Sequence, residues 1–244
     1  MTWVWWVVLA LGGLVLIGLT YLFWRADKAR RRMFEAWAAR HGWRHADLDR
    51  DLAKRWRGTP FGAGHARKAT EVLAGEYAGR PALSFTYVWT VGGGKSETTH
   101  TAHVVVLFLP AALPVLELTP EGFGARVAKA FGGQDVQLES EDFNRAWRVE
   151  ASDLRFAHQV LHPRLMHRLL EPDFARRNVR IEGDAILGWT GGRTVLDNMF
   201  PLMSRLAVVA DAIPDHVWLD RGVSPPRRQG DPPRSAPTWV ARAP

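Results

Sequence analysis

The stretch Glu139-Ser-Glu-Asp-Phe-Asn-Arg145 holds the densest polar chemistry in the chain. Glu139, Glu141 and Asp142 beside Asn144 and Arg145 are the residue types that acid–base or cation-binding work requires, since a carboxylate must lie within hydrogen-bond reach of the group it serves. The same types also close a turn between two strands, because Ser, Asp and Asn side chains accept from neighbouring backbone N–H groups. The turn is the reading adopted. It expects Asp142 and Asn144 to satisfy backbone donors, and Phe143 and Trp147 to reach into the core.

Other constellations are weaker. Val91-Gly-Gly-Gly-Lys-Ser96 has the end of a phosphate-binding loop, but the motif needs glycine where Trp89 stands and a helix directly after Ser96. A strand-like run follows, so a hairpin loop is expected. Gly62-x-Gly64-x-x-Arg67 lacks the third glycine of a dinucleotide fingerprint. His158 and His162, like His167 and Glu171, stand four apart and can share a helix face as metal ligands do, but Pro163 separates the pairs and no His-Glu-x-x-His exists. His100 and His103 are three apart on an expected strand and so point to opposite faces. No Gly-x-Ser-x-Gly elbow presents a serine. No catalytic residue, cofactor site or metal site is assigned, and the chain is read as a non-enzyme.

The elements around these residues read as α+β. Residues 25–57 are expected to be helical, with Phe34, Trp37, Ala38 and His41 on one stripe, a stop at Gly42 and a second short helix from Asp47 carrying Leu52 and Trp56. Gly58–Gly64 reads as a linker or turn. Strands are expected near Thr70–Tyr77, joined through Ala78-Gly-Arg-Pro81 to a half-buried strand in which Leu83, Phe85, Tyr87 and Trp89 alternate with Ala82, Ser84, Thr86 and Val88. His100–Leu109 follows as a central strand. Pro110 and Pro114 are expected to break it before Val115–Leu118. A helix from Thr119-Pro-Glu121 to Gly132-Gly133 comes next, then strands at 135–138 and 145–149 and a helix capped by Ser152 or Asp153 and restarted at Pro163. A hairpin turning at Glu182-Gly-Asp184 and a last helix, 194–212, kinked or restarted at Pro201, complete the domain. The expected fold is thus an N-terminal transmembrane helix, then a largely antiparallel sheet with packed helices and a C-terminal helix. The divisions are 1–24 transmembrane helix, 25–57 basic juxtamembrane segment, 58–221 cytosolic domain, and 222–244 a Pro- and Arg-rich tail of disorder-prone composition.

The membrane reading rests on Trp3–Trp24, which carries no charged side chain. About 20 apolar residues at about 1.5 Å each cross the hydrocarbon of a bilayer. Trp3, Trp5 and Trp6 stand at one end and Tyr21 and Trp24 at the other, where amphipathic rings favour headgroups. The charges follow the apolar run instead of preceding it, which is opposite to a cleaved signal. Arg25, Lys28, Arg30, Arg31 and Arg32 close the span as headgroup contacts and direct residues 25–244 to the cytoplasm.

Charge position excludes the nucleic-acid reading that a pI near 10.3 invites. Residues 25–68 hold 13 Lys/Arg and 5 Asp/Glu, a net of +8, while 69–244 hold 19 basic and 20 acidic residues, a net of −1. The excess lies beside the expected membrane, where each basic residue gains about 1 kcal/mol from anionic headgroups. With no cysteine there are no disulfides or thiolate sites.

The run Glu139-Ser-Glu-Asp-Phe-Asn-Arg-x-Trp-x-Val149, with Asp153, Ala157, Leu161-x-Pro163, Met166 and Arg180-Ile-Glu-Gly183 after it, resembles a family of uncharacterised bacterial membrane-anchored proteins. The resemblance implies a bacterial membrane location and supplies no catalytic residue; the single span and its place in the inner membrane are read from Trp3–Trp24 and the charges after it. The expected role is scaffolding, sensing or regulation through an unknown protein partner. The alternative is a lipid- or small-ligand-binding domain, with an enzyme less favoured.

Overall fold

The computed structural model describes residues 2–120, 134–174 and 177–226. It opens on one unbroken helix, α1 (Thr2–His41). The charged half of α1 packs on the domain through the stripe read from the sequence: Phe34 and Ala38 are buried and Trp37 half-buried, while His41 stays exposed. Gly42, at φ +70, ends it, and the Trp43 N–H bonds back to the Ala38 carbonyl at 2.8 Å, the 6→1 closure that a left-handed residue allows. The large side chains of α1 from Leu11 to Trp24 are each 46–71% exposed. Among the described residues no helix is long and apolar enough to cross a membrane.

Residues 44–49, expected as part of a helical segment, form an edge strand instead, β1 (Arg44–Asp49). It pairs antiparallel with β2 (His65–Tyr77), and β2 pairs with β3 (Arg80–Val91) through the two-residue turn Ala78-Gly79, both at positive φ as a tight hairpin requires. Trp43 explains the start of β1. Its indole lies on the backbone at Gly75, where a Cβ would meet it at 2.3 Å, so the chain is pinned to the sheet directly after α1.

β4 (Thr98–Pro120) is a single strand; the break expected at Pro110 and Pro114 does not occur. Pro110 is exposed, and the register slips around Leu113 absorb the irregularity. The first half of β4 lies between β3 and β7 (Asn178–Gly191), the central position its apolar run implies. Its second half lies between β7 and β6 (Trp147–Ala151), with β5 (Gln134–Asp135) outside β6. The hairpin expected at Glu182–Asp184 is likewise one continuous strand, bent at Gly183 (φ +59) where β4 slips register. The described residues thus form a 7-stranded antiparallel sheet. The helix expected after Thr119 lies outside the described residues, although Thr119 and Pro120 themselves end β4; the tail beyond residue 226 also lies outside them.

Helices α2 (Glu141–Ala146), α3 (Leu154–Val160) and α4 (Pro163–Leu169) lie between β5 and β7 in the chain. Asp153 caps α3 by accepting the Phe156 N–H at 3.1 Å, as read from the sequence. α5 (Leu196–Ala212) runs through Pro201 as one helix, and α6 (Asp215–Leu219) follows.

The sheet is covered on both faces. Leu73, Val105, Leu107 and Ile186 meet Phe34 of α1 and Met203 and Leu206 of α5 in the larger core. On the other face Phe85, Tyr87, Val104, Val106 and Leu187 pack under Ala53, Trp56 and Phe61. Gly58–Gly64, expected as a linker or turn, is a turn whose Phe61 joins the same core cluster as Ala53 and Trp56. The segment is held down by Arg180, which is fully buried. Its Nε and Nη2 donate to Glu117 Oε2 at 3.1 and 2.6 Å, Nη2 to the Thr59 carbonyl at 3.0 Å, and Nη1 to the Arg57 carbonyl. The guanidinium also stands 5.2 Å from the Trp189 ring. Burial raises the pKa of Glu117 against the pull of Arg180. Replacing Arg180 by Leu leaves Glu117 buried and uncompensated, so it is expected to cost about 3–5 kcal/mol. The double variant Arg180→Leu/Glu117→Leu should lose clearly less, which denaturant unfolding of the two proteins measures.

Candidate functional site

The face of the sheet that carries α1 and α5 does not close at the end nearest the apolar half of α1. A cleft of about 470 Å³ remains there, lined by residues of α1 (Asp27, Arg30, Arg31), β1, β2, β3 and β4, and by Arg193 before α5. Its centre is Glu71. The register slips between Thr70 and Leu73, and Glu71 adopts φ +55. An extra residue in one strand breaks the two-residue alternation. Thr70 and Glu71 consequently both line the cleft, although they are adjacent in sequence.

Three groups converge on the Glu71 carboxylate. Arg30 donates to both of its oxygens, at 2.5 and 3.0 Å. Arg193 donates to Oε1 at 2.5 Å and the Thr86 hydroxyl to Oε2 at 2.7 Å. Arg30 also donates to the Thr194 carbonyl at 2.7 Å, and the Thr194 N–H to Thr86 Oγ1 at 2.8 Å. Burial pushes the Glu71 pKa up, but the hydrogen bonds from Arg30, Thr86 and Arg193 outweigh it and leave it below the usual carboxylate range. Arg31 pairs with Asp47 at 2.5 Å, while Lys68 is exposed at the cleft without an ion pair among the described residues.

Next along the same face, Ser84 Oγ and His103 Nε2 are 3.0 Å apart. Both are buried, so the pair is closed to a substrate and does not amount to a nucleophile and its base. Burial pushes the His103 pKa down to about 4, against the pull of Glu71.

The sequence-read candidates lie elsewhere. Glu139, Glu141, Asp142 and Arg145 are exposed, and a separate hollow of about 380 Å³ takes only Asn144 from the cluster into its lining. The cluster is a capped helical turn. Ser140 Oγ accepts the Phe143 N–H at 3.3 Å, and Asn144 bonds both the N–H and the carbonyl of Leu138, at 3.0 and 2.6 Å. Phe143 and Trp147 are in the core as expected. Asp142, expected to satisfy a backbone donor, instead pairs with Arg145 at 3.2 Å in solvent. Of the expected headgroup contacts, Arg25, Lys28 and Arg32 are exposed, with Lys28 Nζ 4.8 Å over the Trp24 ring; Arg30 and Arg31 are ion-paired to the domain. His162 caps α4 by accepting the Leu165 N–H, and no metal-holding group of His, Asp and Glu occurs among the described residues. His100 is exposed and His103 buried, on opposite faces as read.

The sequence reading missed Glu71, Thr86, His103, Arg193 and Thr194 as a group. One signal was available: Ser84 and Thr86 alternate with the large apolar residues of β3, and that alternation was taken for a solvated face. Ser84 and Thr86 are in fact buried.

No family model matches the chain, and no curated protein matches it. Among solved structures, the mycobacterial trehalose monomycolate transport factor A, TtfA, shares the fold at a TM-score of 0.53 and 18% identity, over 76% of this chain and 95% of that one.

Two expectations follow. Asn144→Ala should cost about 1–3 kcal/mol because both Leu138 backbone groups lose their partner. Asp142→Ala should stay within about 0.5 kcal/mol, and Phe143→Ala should cost about 3–5 kcal/mol, all by thermal unfolding. For His103, the unfolded chain binds the proton first, so stability is complete above the ordinary pKa of 6.5 and falls as pH drops toward about 4. At about 1.4 kcal/mol per pKa unit the loss is roughly 3 kcal/mol. Glu71 joins only below 4.5, and Glu117 and Glu182, whose pKa values burial raises, act with the opposite sign. The difference in stability between wild type and His103→Asn across pH 6.5–4.5 isolates the histidine, and a difference that does not change with pH would count against its neutral burial.

Proposed function

We propose that the chain is a single-pass protein of the bacterial inner membrane, N-terminus outside, whose cytoplasmic domain binds the polar end of a lipid in the Glu71 cleft. The observation that carries this reading is that α1 itself forms one wall of the cleft. Asp27, Arg30 and Arg31 line it directly after the uncharged stretch that ends at Trp24. A ligand entering there needs to leave the headgroup layer by only a few residues' length of helix. The lining is polar and carries both signs of charge, with Lys68 free to meet an anionic or hydroxylated group.

Two further points support it. The apolar side chains of α1 from Leu11 to Trp24 are uncovered by the domain, and a bilayer is the partner that suits an uncharged helix exposed on every side. The fold is shared with the mycobacterial trehalose monomycolate transport factor A. The closed Ser84–His103 pair gives no reason to favour chemistry on the ligand.

The test is co-purification. Full-length protein extracted in mild detergent is expected to carry lipid detectable by native mass spectrometry. Val88→Trp places an indole in the cleft and should weaken that binding at least about tenfold, equivalent to about 1.4 kcal/mol, with the unfolding midpoint little changed. Wild-type protein free of lipid, or lipid retained equally by Val88→Trp, would reject the cleft and return the domain to a scaffolding or regulatory role.

A further inference from the structure

The direction of α1 relative to the sheet determines what stands next to the apolar stretch. Arg30 bonds Glu71, the Phe34 ring lies 5.9 Å from His45, and Trp37 meets Trp43 at 5.8 Å. His45 is paired with Leu73, and Trp43 lies on Gly75. Helix α1 and strand β2 therefore advance together in the same direction. Traced backwards, the six residues from Arg30 to Trp24 cover about 9 Å of helix. The antiparallel strand β3 leaves the same level at Thr86, which bonds Glu71, and reaches its end at Val91. Those five residues cover about 16 Å of strand. The β3–β4 tip thus projects about 7 Å past the level of Trp24, a distance comparable to the depth of one headgroup layer.

The residues at the tip suit that position. Val91 is 42% exposed, and Gly92, Gly93 and Gly94 follow it at the surface. Trp89 stacks on His100 at 5.4 Å just inside. Lys95 is part of the tip sequence, and on the neighbouring strand β2 exposed His65 pairs with Glu97 at 3.5 Å while exposed Lys68 stands opposite Val88. A glycine-rich end with one exposed apolar side chain and two lysines in its neighbourhood suits a surface that rests on anionic lipid.

We propose that the β3–β4 tip, Val91 to Thr98, is a second membrane-contact site, lying against the anionic headgroups of the same bilayer that α1 crosses. The domain then stands on the membrane at two points, and the Glu71 cleft lies between them, closed above by the headgroup layer. This rests on the membrane anchoring proposed above and is independent of whether the cleft holds lipid.

The chain contains no cysteine, so single cysteines can be placed without background. Val91→Cys and Gly93→Cys label the tip; a side chain at Gly93 meets nothing within 4 Å. Leu219→Cys on α6, 61% exposed beyond the far end of α5, is the control. Full-length variants carrying a nitroxide are reconstituted into phosphatidylcholine vesicles containing phosphatidylglycerol. Labels at 91 and 93 should be severalfold less accessible to a water-soluble nickel relaxant than the label at 219, and more accessible to oxygen. Charge reversal by Lys68→Glu/Lys95→Glu should return the tip labels toward the control. A chain that floats with vesicles but shows equal accessibility at all three positions overturns the tip contact alone. A chain that fails to float overturns the anchor and the tip contact together.

Discussion

The carboxylate of Glu71 is the junction on which the arrangement of this molecule depends. It takes one guanidinium from α1, one from the turn before α5 and a hydroxyl from β3. Three elements distant in sequence are thereby fixed at one level of the sheet. A single exposed ion pair contributes little, but here the acid is largely buried and two of its partners are themselves tied to Thr194. Arg30 holds the Thr194 carbonyl, and Thr86 accepts the Thr194 N–H. The positive φ at Glu71 is the local strain this convergence requires, since a regular strand would turn that side chain to the opposite face.

The two faces of the sheet solve opposite problems. Under the 52–61 segment an apolar cluster is sealed by Arg180, a buried cation satisfied by one carboxylate and two backbone carbonyls. On the α1 side the core is equally apolar around Phe34 and Met203, yet it gives way to Thr70, Glu71, Thr86 and Thr101 at one end. Polarity there is local and placed at the end of the domain where the uncharged half of α1 departs.

Much of the fold was legible because periodicity survives wherever one face is buried. The strand period of β3, the apolar run of β4, the Asp153 cap and the last helix all read correctly, although the second face of β3 is buried as well. What failed were prolines and turn residues within long strands. Pro110, Pro114 and Glu182-Gly-Asp184 carry the local chemistry of breaks, but β4 and β7 bend together through their register slips and remain paired. Residues 44–49 were misread because a second short helix was expected from Asp47 after the stop at Gly42, whereas the pinning of Trp43 on Gly75 is a long-range contact with no local trace. The candidate site was missed for a related reason. Glu71 acquires its role from a bulge, and Arg30, Arg193 and Thr194 from tertiary proximity. The conspicuous local cluster, Glu139 to Arg145, had only a local task.

The continuity of α1 has a mechanical consequence. From Gly18 to Gly42 the helix contains neither glycine nor proline, and the same rod that carries the apolar side chains is clamped at Arg30 and buried at Phe34 and Ala38. Helices bend sharply only where such residues or inserted groups interrupt the ladder. The segment from Leu19 therefore acts as a lever with the domain as its load: a tilt imposed on Leu19–Trp24 is passed on as a rotation of the cleft. On the proposed placement, a change in bilayer thickness would swing the cleft mouth toward the lipid or away from it, with no joint in between to take up the motion.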